Sequence, residues 1–435
     1  MLDCFVPRND DARCRHCEER SNPFKISVFD DYKRGLFISL LAILLFPSSC
    51  VLPFEPQIVE DTSGILVVEG MILETGTTIK LSRTVRIDND SDGESNTGLE
   101  DVHNARIRVI DDKNNVVVAE QQFIEGKINP GIYVVTDEIS FAPGTKYALN
   151  IQIGEKQYQS LFVSPVMNAP EIDKITWKQN ADRSMDIMVS THDPENKIEY
   201  YLWSFEEDWE IWAAQFGTHR YEPTTKKVIE QSVFTANNRF YCWDSNKSKS
   251  LIVGTSDKLT EATIKNRVIH SFQKNNTRFS YLYSFLVKQY AINREAYLYF
   301  DNLRKNIELS GSVFAPILSE LKGNITCLSN TDETVIGYIC ATKEVSKRIY
   351  IDMEKLEGED SYNCYPERDK FGMIIGDQKT AYRAWELEDA FAAGMGIFFV
   401  DPMTGIYHHL VMRCVDCTLR GGTKNKPDFW PNDHL

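Results

Sequence analysis

The sequence predicts a mainly β protein, in which an immunoglobulin-like β-sandwich precedes a larger β-rich domain with one docked helix and disulfide bonds. Two observations predict the sandwich. Short apolar runs that alternate with polar residues recur from Gly64 onward, and Pro-Gly turn signals stand among them. A third observation, a single amphipathic helix pattern late in the chain, indicates that a helix packs on the second β domain.

The sandwich is predicted over residues 64–170. Its strand-like runs are Ile65–Gly70, Thr78–Leu81, Ala105–Ile110, Val116–Ala119, Gly131–Val135, Tyr147–Ile153 and Tyr158–Phe162. The dipeptides Pro130-Gly131 and Pro143-Gly144 supply turns among these runs. Strands at this spacing are typical of an antiparallel sandwich.

Residues 171–435 are predicted to form the larger β-rich domain. Asp193-Pro-Glu-Asn196 is a turn, and the aromatic segment Tyr200–Trp212 supplies one or two strands. A longer strand is predicted from residues that alternate on one face, namely Phe279, Tyr281, Tyr283, Phe285 and Val287. The helix begins after Asn293 as N-cap and ends at Gly311, with one apolar face formed by Ala296, Phe300, Leu303 and Ile307.

The segment ending at Cys50 has the pattern of a lipoprotein signal peptide. Lys33 and Arg34 precede the apolar stretch Leu36–Phe46, which is too short to span a bilayer, and Ser48-Ser49 are the small residues that a signal peptidase needs. Pro47 replaces the Leu usual three residues before the Cys, so an ordinary signal peptide cut nearby is the alternative. We expect a signal peptide at residues 28–49, lipidation of Cys50 and an extended tether at residues 50–63.

Residues 1–27 do not fit a signal peptide, because they place many polar residues ahead of its charged flank. They resemble translated intergenic sequence, and we expect the protein to start near Val28 or Phe29. The alternative is a metal-binding tract around Cys14, His16 and Cys17, but a single CxxC pair is a weak zinc signal.

Composition limits the partners and the anchor. The chain of 435 residues has a net charge of −15 and no basic stripe, which argues against nucleic acid as a partner. After Cys50 no apolar run approaches the ~18 residues of a spanning helix, so the lipid is the predicted anchor.

Six cysteines after Cys50 fit an oxidising compartment: Cys242, Cys327, Cys340, Cys364, Cys414 and Cys417. Cys327 and Cys340 flank a turn-rich segment between two strand-like runs, so we predict a disulfide between them across a hairpin. The remaining four allow three connectivities. Cys414-x-x-Cys417 with His408-His409 upstream has the ligand types of a zinc or redox site, but structural disulfides are the favoured interpretation for an exported chain.

Two further patterns contain candidate site residues. Asp88, Asp90 and Asp92, followed by Gly93, match the start of a calcium loop, yet Leu99 occupies the place of its final Glu, which favours a solvated acidic loop. No other cofactor is predicted. Trp203, Trp209 and Trp212 are candidate ligand-binding residues, with Glu206, Glu207, Asp208 and Glu210 between them; a sheet core with a charged outer face is the alternative.

Signatures of common enzyme classes are missing from the sequence. It has no HExxH, G-x-S-x-G, Walker or Rossmann motif, which counts against an ordinary enzyme. Paired carboxylates near Glu207 and Asp208 could serve a glycan hydrolase only at a fixed separation across a sugar. Such a hydrolase is the least favoured alternative.

The chain resembles a known lipoprotein family in several blocks. These are Leu52–Pro56, Ile65–Met71, Lys80–Thr84, Leu286–Tyr290, Glu295–Tyr297, Lys322–Asn324, Ile336–Tyr338, Cys414–Cys417, Gly421–Thr423 and Lys426–Pro431. They resemble domain-of-unknown-function family 4249, an uncharacterised family of Bacteroidota. The resemblance implies an outer-membrane lipoprotein, often encoded near TonB-dependent receptors, and assigns no catalytic residues.

These observations together predict a non-enzymatic, outer-membrane-anchored accessory or ligand-binding lipoprotein. It would work with a TonB-dependent transporter in nutrient capture, on either the periplasmic or the surface face. A structural or adhesion role in the cell envelope is the alternative.

Overall fold

The computed structural model describes residues 64–85, 98–113, 115–118, 131–135, 138–233, 238–274, 276–309, 321–352, 381–382 and 386–431. They belong to one compact unit, Thr62–Leu435. Several predicted sites lie outside these residues, namely Cys50, Asp88, Asp90, Asp92 and Cys364. No helix in the described ranges is both long and apolar enough to cross a membrane.

The first part of the unit is a sandwich of two sheets, each with five strands among the described residues. One sheet contains β1 (Leu66–Gly70), β3 (Thr77–Thr84), β4 (Leu99–Asp101), β7 (Ile132–Val135) and β20 (Val335–Gly337). The other contains β5 (Arg106–Asp111), β6 (Val116–Val118), β8 (Tyr147–Ile153), β9 (Lys156–Ser160) and β19 (Ile325–Cys327). A separate pair joins β2 (Ile72–Leu73) to β21 (Ala341–Thr342).

Alternation of apolar and polar residues makes one face of each sheet buried. Ile79 and Leu81 of β3 are buried, as are Ile107 and Val109 of β5, and their side chains share one core. Tyr133 joins the same core and donates its hydroxyl hydrogen to the carbonyl of Val102 at 2.8 Å. The predicted mainly β fold with an immunoglobulin-like sandwich is confirmed.

Three short strands of this first part come from far along the chain. β20 pairs in parallel with β1, β19 pairs antiparallel with β9, and β21 pairs in parallel with β2. Asn324 fixes the segment, because its side chain accepts from the Ile339 N–H and donates to the Ile339 carbonyl, each at 2.8 Å. Residues 325–342 therefore contribute to both sheets of the sandwich.

The predicted disulfide between Cys327 and Cys340 is wrong. Both thiols are free and buried. The two runs that flank the turn do not form a hairpin, since β19 and β20 belong to opposite sheets. Cys327 consequently packs in the sandwich core, whereas Cys340 packs in a different cluster beside the helix, and burial raises the pKa of the Cys340 thiol to about 12.

The second part contains two further sheets. The first has β10 (Ile172–Gln179), β11 (Met185–His192) and β17 (Thr263–Phe272). The second has β12 (Tyr200–Trp212), β15 (Tyr241–Lys247), β16 (Ile252–Thr255), β18 (Tyr283–Ala291) and β22 (Glu344–Ile351). Their facing side chains form one aromatic-rich core that includes Ile187, Trp203, Phe205, Phe285 and Val287.

The predicted helix is present as α1 (Arg294–Leu309). Asn293 accepts a hydrogen bond from the Ala296 N–H at 2.9 Å, as expected of an N-cap. Ala296 and Phe300 are buried against Leu202 and Tyr290 of the second sheet. Ile307, which the sequence places on the same face, is 61% exposed because the packed stripe ends before it.

A smaller region combines a hairpin from the middle of the chain with elements near the C-terminus. It contains the hairpin β13 (His219–Glu222) and β14 (Lys227–Glu230), helix α2 (Leu387–Ala392), and the sheet of β23 (Ala381–Tyr382), β24 (Met395–Val400) and β25 (Tyr407–Val411). The sequence does not predict α2, which is 6 residues long and therefore less than two turns, and whose N-cap residue, Glu386, makes no side-chain cap bond.

Candidate functional site

Strand β12 determines where the candidate residues lie, because successive side chains point to opposite faces of its sheet. Trp203, Phe205 and Trp209 point to the core between the two sheets of the second part. Glu207 is on the same face and has no exposed surface. Glu206 and Asp208 are on the opposite face, where their partners are Lys288 and Arg348.

Two of the three predicted ligand-binding tryptophans, Trp203 and Trp209, pack in the core. Trp203 is 1% exposed, and its indole N–H donates to Gln289 Oε1 at 2.9 Å. Trp209 is 7% exposed and is covered by the Arg278 guanidinium, 4.6 Å from its ring centroid. Trp203 therefore has no surface to offer a ligand, and the core alternative applies to it. Trp209 packs mainly in the core, but part of it also lines the pocket described next.

Trp212 is the last residue of β12, and it lines a pocket at this end of the strand. The pocket has a volume of about 360 Å³, and we call it the aromatic pocket. Trp212 stacks on Tyr281 with 4.1 Å between ring centroids, and Tyr241 meets Trp212 edge-on at 4.9 Å. The polar side chains of the lining are Glu210, Asp244, Asn276, Thr277, Arg278, Ser280 and Arg420.

The alternation in the sequence predicts that Tyr281 lies on the same face as Tyr283, and this prediction is wrong. β18 begins only at Tyr283, and Phe279 ends a short 3-10 helix, so the chain turns between them. Tyr283 enters the core while Tyr281 reaches the aromatic pocket. No local pattern in the sequence marks this turn. The sequence also does not predict the pocket residues Arg278 and Arg420, because they reach the pocket through tertiary packing.

Glu207 is a buried carboxylate with three hydrogen-bond donors. Arg278 forms an ion pair with Oε1, Asn246 Nδ2 donates to Oε1 at 2.7 Å, and the Tyr283 hydroxyl donates to Oε2 at 2.6 Å. Burial raises the pKa of Tyr283, and the neighbouring Glu207 charge raises it further. The carboxylate is therefore satisfied inside the protein, below the pocket wall formed by Arg278.

Asp208 occupies the other face of the sheet. Its carboxylate accepts a hydrogen bond from Arg348 at 3.1 Å. Burial raises the pKa of Asp208, although Arg348 opposes this effect. Since Glu207 and Asp208 lie on opposite faces, they cannot flank a single glycosidic bond, as the two carboxyl groups of a glycosidase do.

Glu210 connects the aromatic pocket to the C-terminal segment. It is 1% exposed and accepts hydrogen bonds from two indoles, Trp212 Nε1 at 3.1 Å and Trp430 Nε1 at 2.7 Å. Next to Trp430, the Phe429 ring covers the Arg348 guanidinium at 3.5 Å. Trp430, near the end of the described residues, thus fixes the position of the Glu210 carboxylate, and this carboxylate orients the indole of Trp212.

A disulfide between Cys242 and Cys417 fixes the same segment to β15. Cys414 is disulfide-bonded as well, so the two thiols of Cys414-x-x-Cys417 are not available to a zinc ion or as a dithiol redox pair. The described part of the chain contains no group of three or more His, Cys, Asp or Glu that could hold a metal. The structural interpretation of this motif applies.

The fold and this site define a mainly β protein that combines an immunoglobulin-like sandwich with a disulfide-linked second β region and an aromatic pocket. The chain belongs to the family described as Domain of unknown function (DUF4249), whose model matches residues 51–348. A comparison with curated proteins finds no match.

Two solved structures are similar to parts of the chain. A segment of two fibronectin type-III domains from chicken tenascin is 11% identical, with 53% of this chain and 91% of that chain covered and a TM-score of 0.13. The FN1–FN3 domains of chicken CNTN1 are 14% identical, with 53% and 63% covered and a TM-score of 0.13. These likenesses indicate nothing about the site.

Proposed function

We propose that this protein is a non-enzymatic, outer-membrane-anchored lipoprotein that binds a ligand and assists a TonB-dependent transporter in nutrient capture. The anchor is proposed from the signal-peptide pattern that ends at Cys50. The observation that carries ligand binding is the aromatic pocket, in which Trp212 and Tyr281 stand beside several polar side chains. A concave site with an aromatic wall and a few polar groups is typical of ligand binding.

The chemistry of the aromatic pocket favours a polar ligand with one apolar face, such as a sugar ring. The Trp212 and Tyr281 rings offer apolar surface at the wall of the pocket. Asp244, Asn276 and Arg278 offer acceptors and donors for hydroxyl groups. Glu207 and Asp208 are occupied by other side chains on opposite faces of β12, which favours binding over hydrolysis at this place.

Fractionation of cells tests the anchor, and co-purification tests the partner. We expect the wild-type protein to incorporate labelled fatty acid and to sediment with outer membranes, whereas Cys50→Ser does neither. A TonB-dependent transporter should co-purify with the wild-type protein from native membranes. Recovery of the lipidated protein without any transporter would contradict the accessory role and leave the anchor standing. Digestion of intact cells with protease then identifies the membrane face.

A structural or adhesion role is the second candidate, because an anchored β-sandwich can also serve as a spacer. It differs from nutrient capture in its consequences. A deletion strain would then grow normally on all polymeric nutrients while the purified protein bound polymer or matrix broadly, and Trp212→Ala would leave that binding unchanged. In nutrient capture, Trp212→Ala reproduces the growth defect of the deletion.

A further inference from the structure

A second cavity lies between the hairpin β13–β14, helix α2 and strand β24. Its volume is about 190 Å³, and it shares no lining residue with the aromatic pocket. We call it the arginine cavity. One of its walls is apolar, and it is formed by Leu387, Phe391, Met395, Ile397, Met412 and Val415. This wall fits an apolar group.

Gly396 allows this apolar wall to close. A Cβ atom at Gly396 would come within 2.5 Å of Val415 Cγ2, so only glycine permits β24 and the segment after β25 to approach this closely. Across the cavity, the Tyr221 ring of β13 contacts the Phe391 ring of α2, with 5.6 Å between centroids. The cavity is thus bounded by three elements that contact one another.

The other wall carries charges of both signs. Arg220 and Glu222 stand two residues apart on β13, hence on one face, with 3.6 Å between Arg220 NH1 and Glu222 Oε2. Arg239 Nε and Asp416 Oδ2 are 3.9 Å apart. Asp416 already accepts a hydrogen bond from the Thr418 N–H at 2.9 Å. The separation between Arg220 and Glu222 is longer than a hydrogen bond, so a ligand can offer each of these two groups a shorter contact than they make with each other. The two arginines and two carboxylates balance in charge.

We propose that the arginine cavity binds a free α-amino acid with an apolar side chain. The α-carboxylate receives charge-assisted hydrogen bonds from Arg220, and the α-ammonium donates to Glu222. The two charges of an amino acid flank one carbon atom, which matches the adjacent charges of Arg220 and Glu222. The side chain lies against Phe391 and Ile397. A simple anion would leave Glu222 desolvated and facing like charge, so the cavity disfavours it.

This inference does not depend on the ligand of the aromatic pocket. Isothermal titration calorimetry with L-phenylalanine and L-leucine on the purified protein tests it directly. We expect dissociation constants of about 1 mM or below. N-acetyl-L-phenylalanine lacks the ammonium and L-phenylalaninamide lacks the carboxylate, and we expect each to bind at least about tenfold more weakly than L-phenylalanine.

Variants separate this site from unspecific association. Arg220→Gln should weaken the binding of L-phenylalanine about tenfold or more, whereas Arg304→Gln on the surface of α1 should leave it unchanged. Phe391→Ala should weaken the binding of L-phenylalanine more than it weakens the binding of free glycine, which has no side chain to contact Phe391. The proposal is overturned if the wild-type protein, shown to be folded by a cooperative melting transition, gives no heat of binding up to about 10 mM ligand. It is also overturned if Arg220→Gln binds with unchanged affinity, or if the acetylated analogue binds equally well.

Discussion

Asp193 shows how one buried carboxylate can hold a turn. It is 5% exposed and accepts hydrogen bonds from the backbone N–H groups of Glu195, Lys197 and Ile198 at 3.1, 2.8 and 2.8 Å. Burial alone would raise the pKa of Asp193, but these three donors outweigh it, so the pKa is lowered. Residue types alone predict the turn at Asp193-Pro-Glu-Asn196, and in the structure the Asp193 carboxylate stabilises it.

We expect Asp193→Ala to lower the free energy of unfolding by about 1–3 kcal/mol at pH 7, because three backbone N–H groups lose their acceptor. A lowered native pKa means that the unfolded state takes up the proton first as the pH falls. The stabilisation is therefore complete above pH ~4 and is lost as the pH falls through the native pKa. Urea unfolding at pH 7 and near pH 3 should show the difference between variant and wild type shrinking. Asp257→Asn, at an exposed position, is the control.

Glu210 has a comparable role at the aromatic pocket. A carboxylate can accept from both indoles at once, whereas an amide must present its NH₂ group to one of them. We expect Glu210→Gln to cost about 1–3 kcal/mol and to loosen residue Trp430 before the protein unfolds. In limited proteolysis, the segment that follows Cys417 should then be cleaved faster in the variant than in the wild type. The tryptophan fluorescence of the variant should also differ. Equal cleavage rates for both proteins would contradict this coupling.

Strand β12 illustrates what periodicity can and cannot predict at the level of an element. The sequence correctly predicts an extended aromatic segment from Tyr200 to Trp212. It cannot predict the function of each side chain, because both faces of the strand are covered, one by the aromatic core and the other by ion pairs such as Glu206 with Lys288. Glu207 looks like a surface carboxylate in sequence, yet Arg278 and Tyr283, distant along the chain, make its burial possible.

The disulfide between Cys242 and Cys417 joins β15 to the C-terminal segment across a sequence separation of 175 residues. We expect the double variant Cys242→Ser with Cys417→Ser to lose roughly 2–5 kcal/mol of stability. Thermal unfolding with and without reductant provides the measurement. Cys327→Ala is the matched control, since Cys327 is a free thiol. Reductant should lower the melting temperature of this control variant by as much as it lowers that of the wild type. A double variant as stable as the wild type would show that the bridge is dispensable.

At the scale of the whole molecule, local patterns identify the strands but not all their partners. The segment around Ile325–Cys327 and Val335–Gly337 looks like a hairpin because a turn-rich stretch joins two apolar runs. Its strands instead complete two different sheets, with Leu66 opposite Val335 and Tyr158 opposite Cys327. Such pairings depend on tertiary packing, which no window of sequence contains.

The shared sandwich leads to a prediction about fragments. A fragment of residues 62–170 lacks β19 and β20, so it exposes the open edges of β9 and β1 together with part of the core. We expect it to unfold at lower temperature than the full chain, or to aggregate. A synthetic peptide of residues 321–343 added in excess should raise its melting temperature. A fragment as stable on its own as the sandwich in the whole protein would refute this view.

The return of residues 325–342 to the first sandwich also sets an order of events in time. A chain made from its N-terminus presents β1 and β9 long before β20 and β19 exist. The first sandwich must wait, incomplete, while β10 to β18 and α1 form behind it. Contacts between residues so distant in sequence slow folding. The incomplete sandwich, with the edges of β1 and β9 exposed, is consequently the folding stage at which binding by a chaperone would protect this protein most.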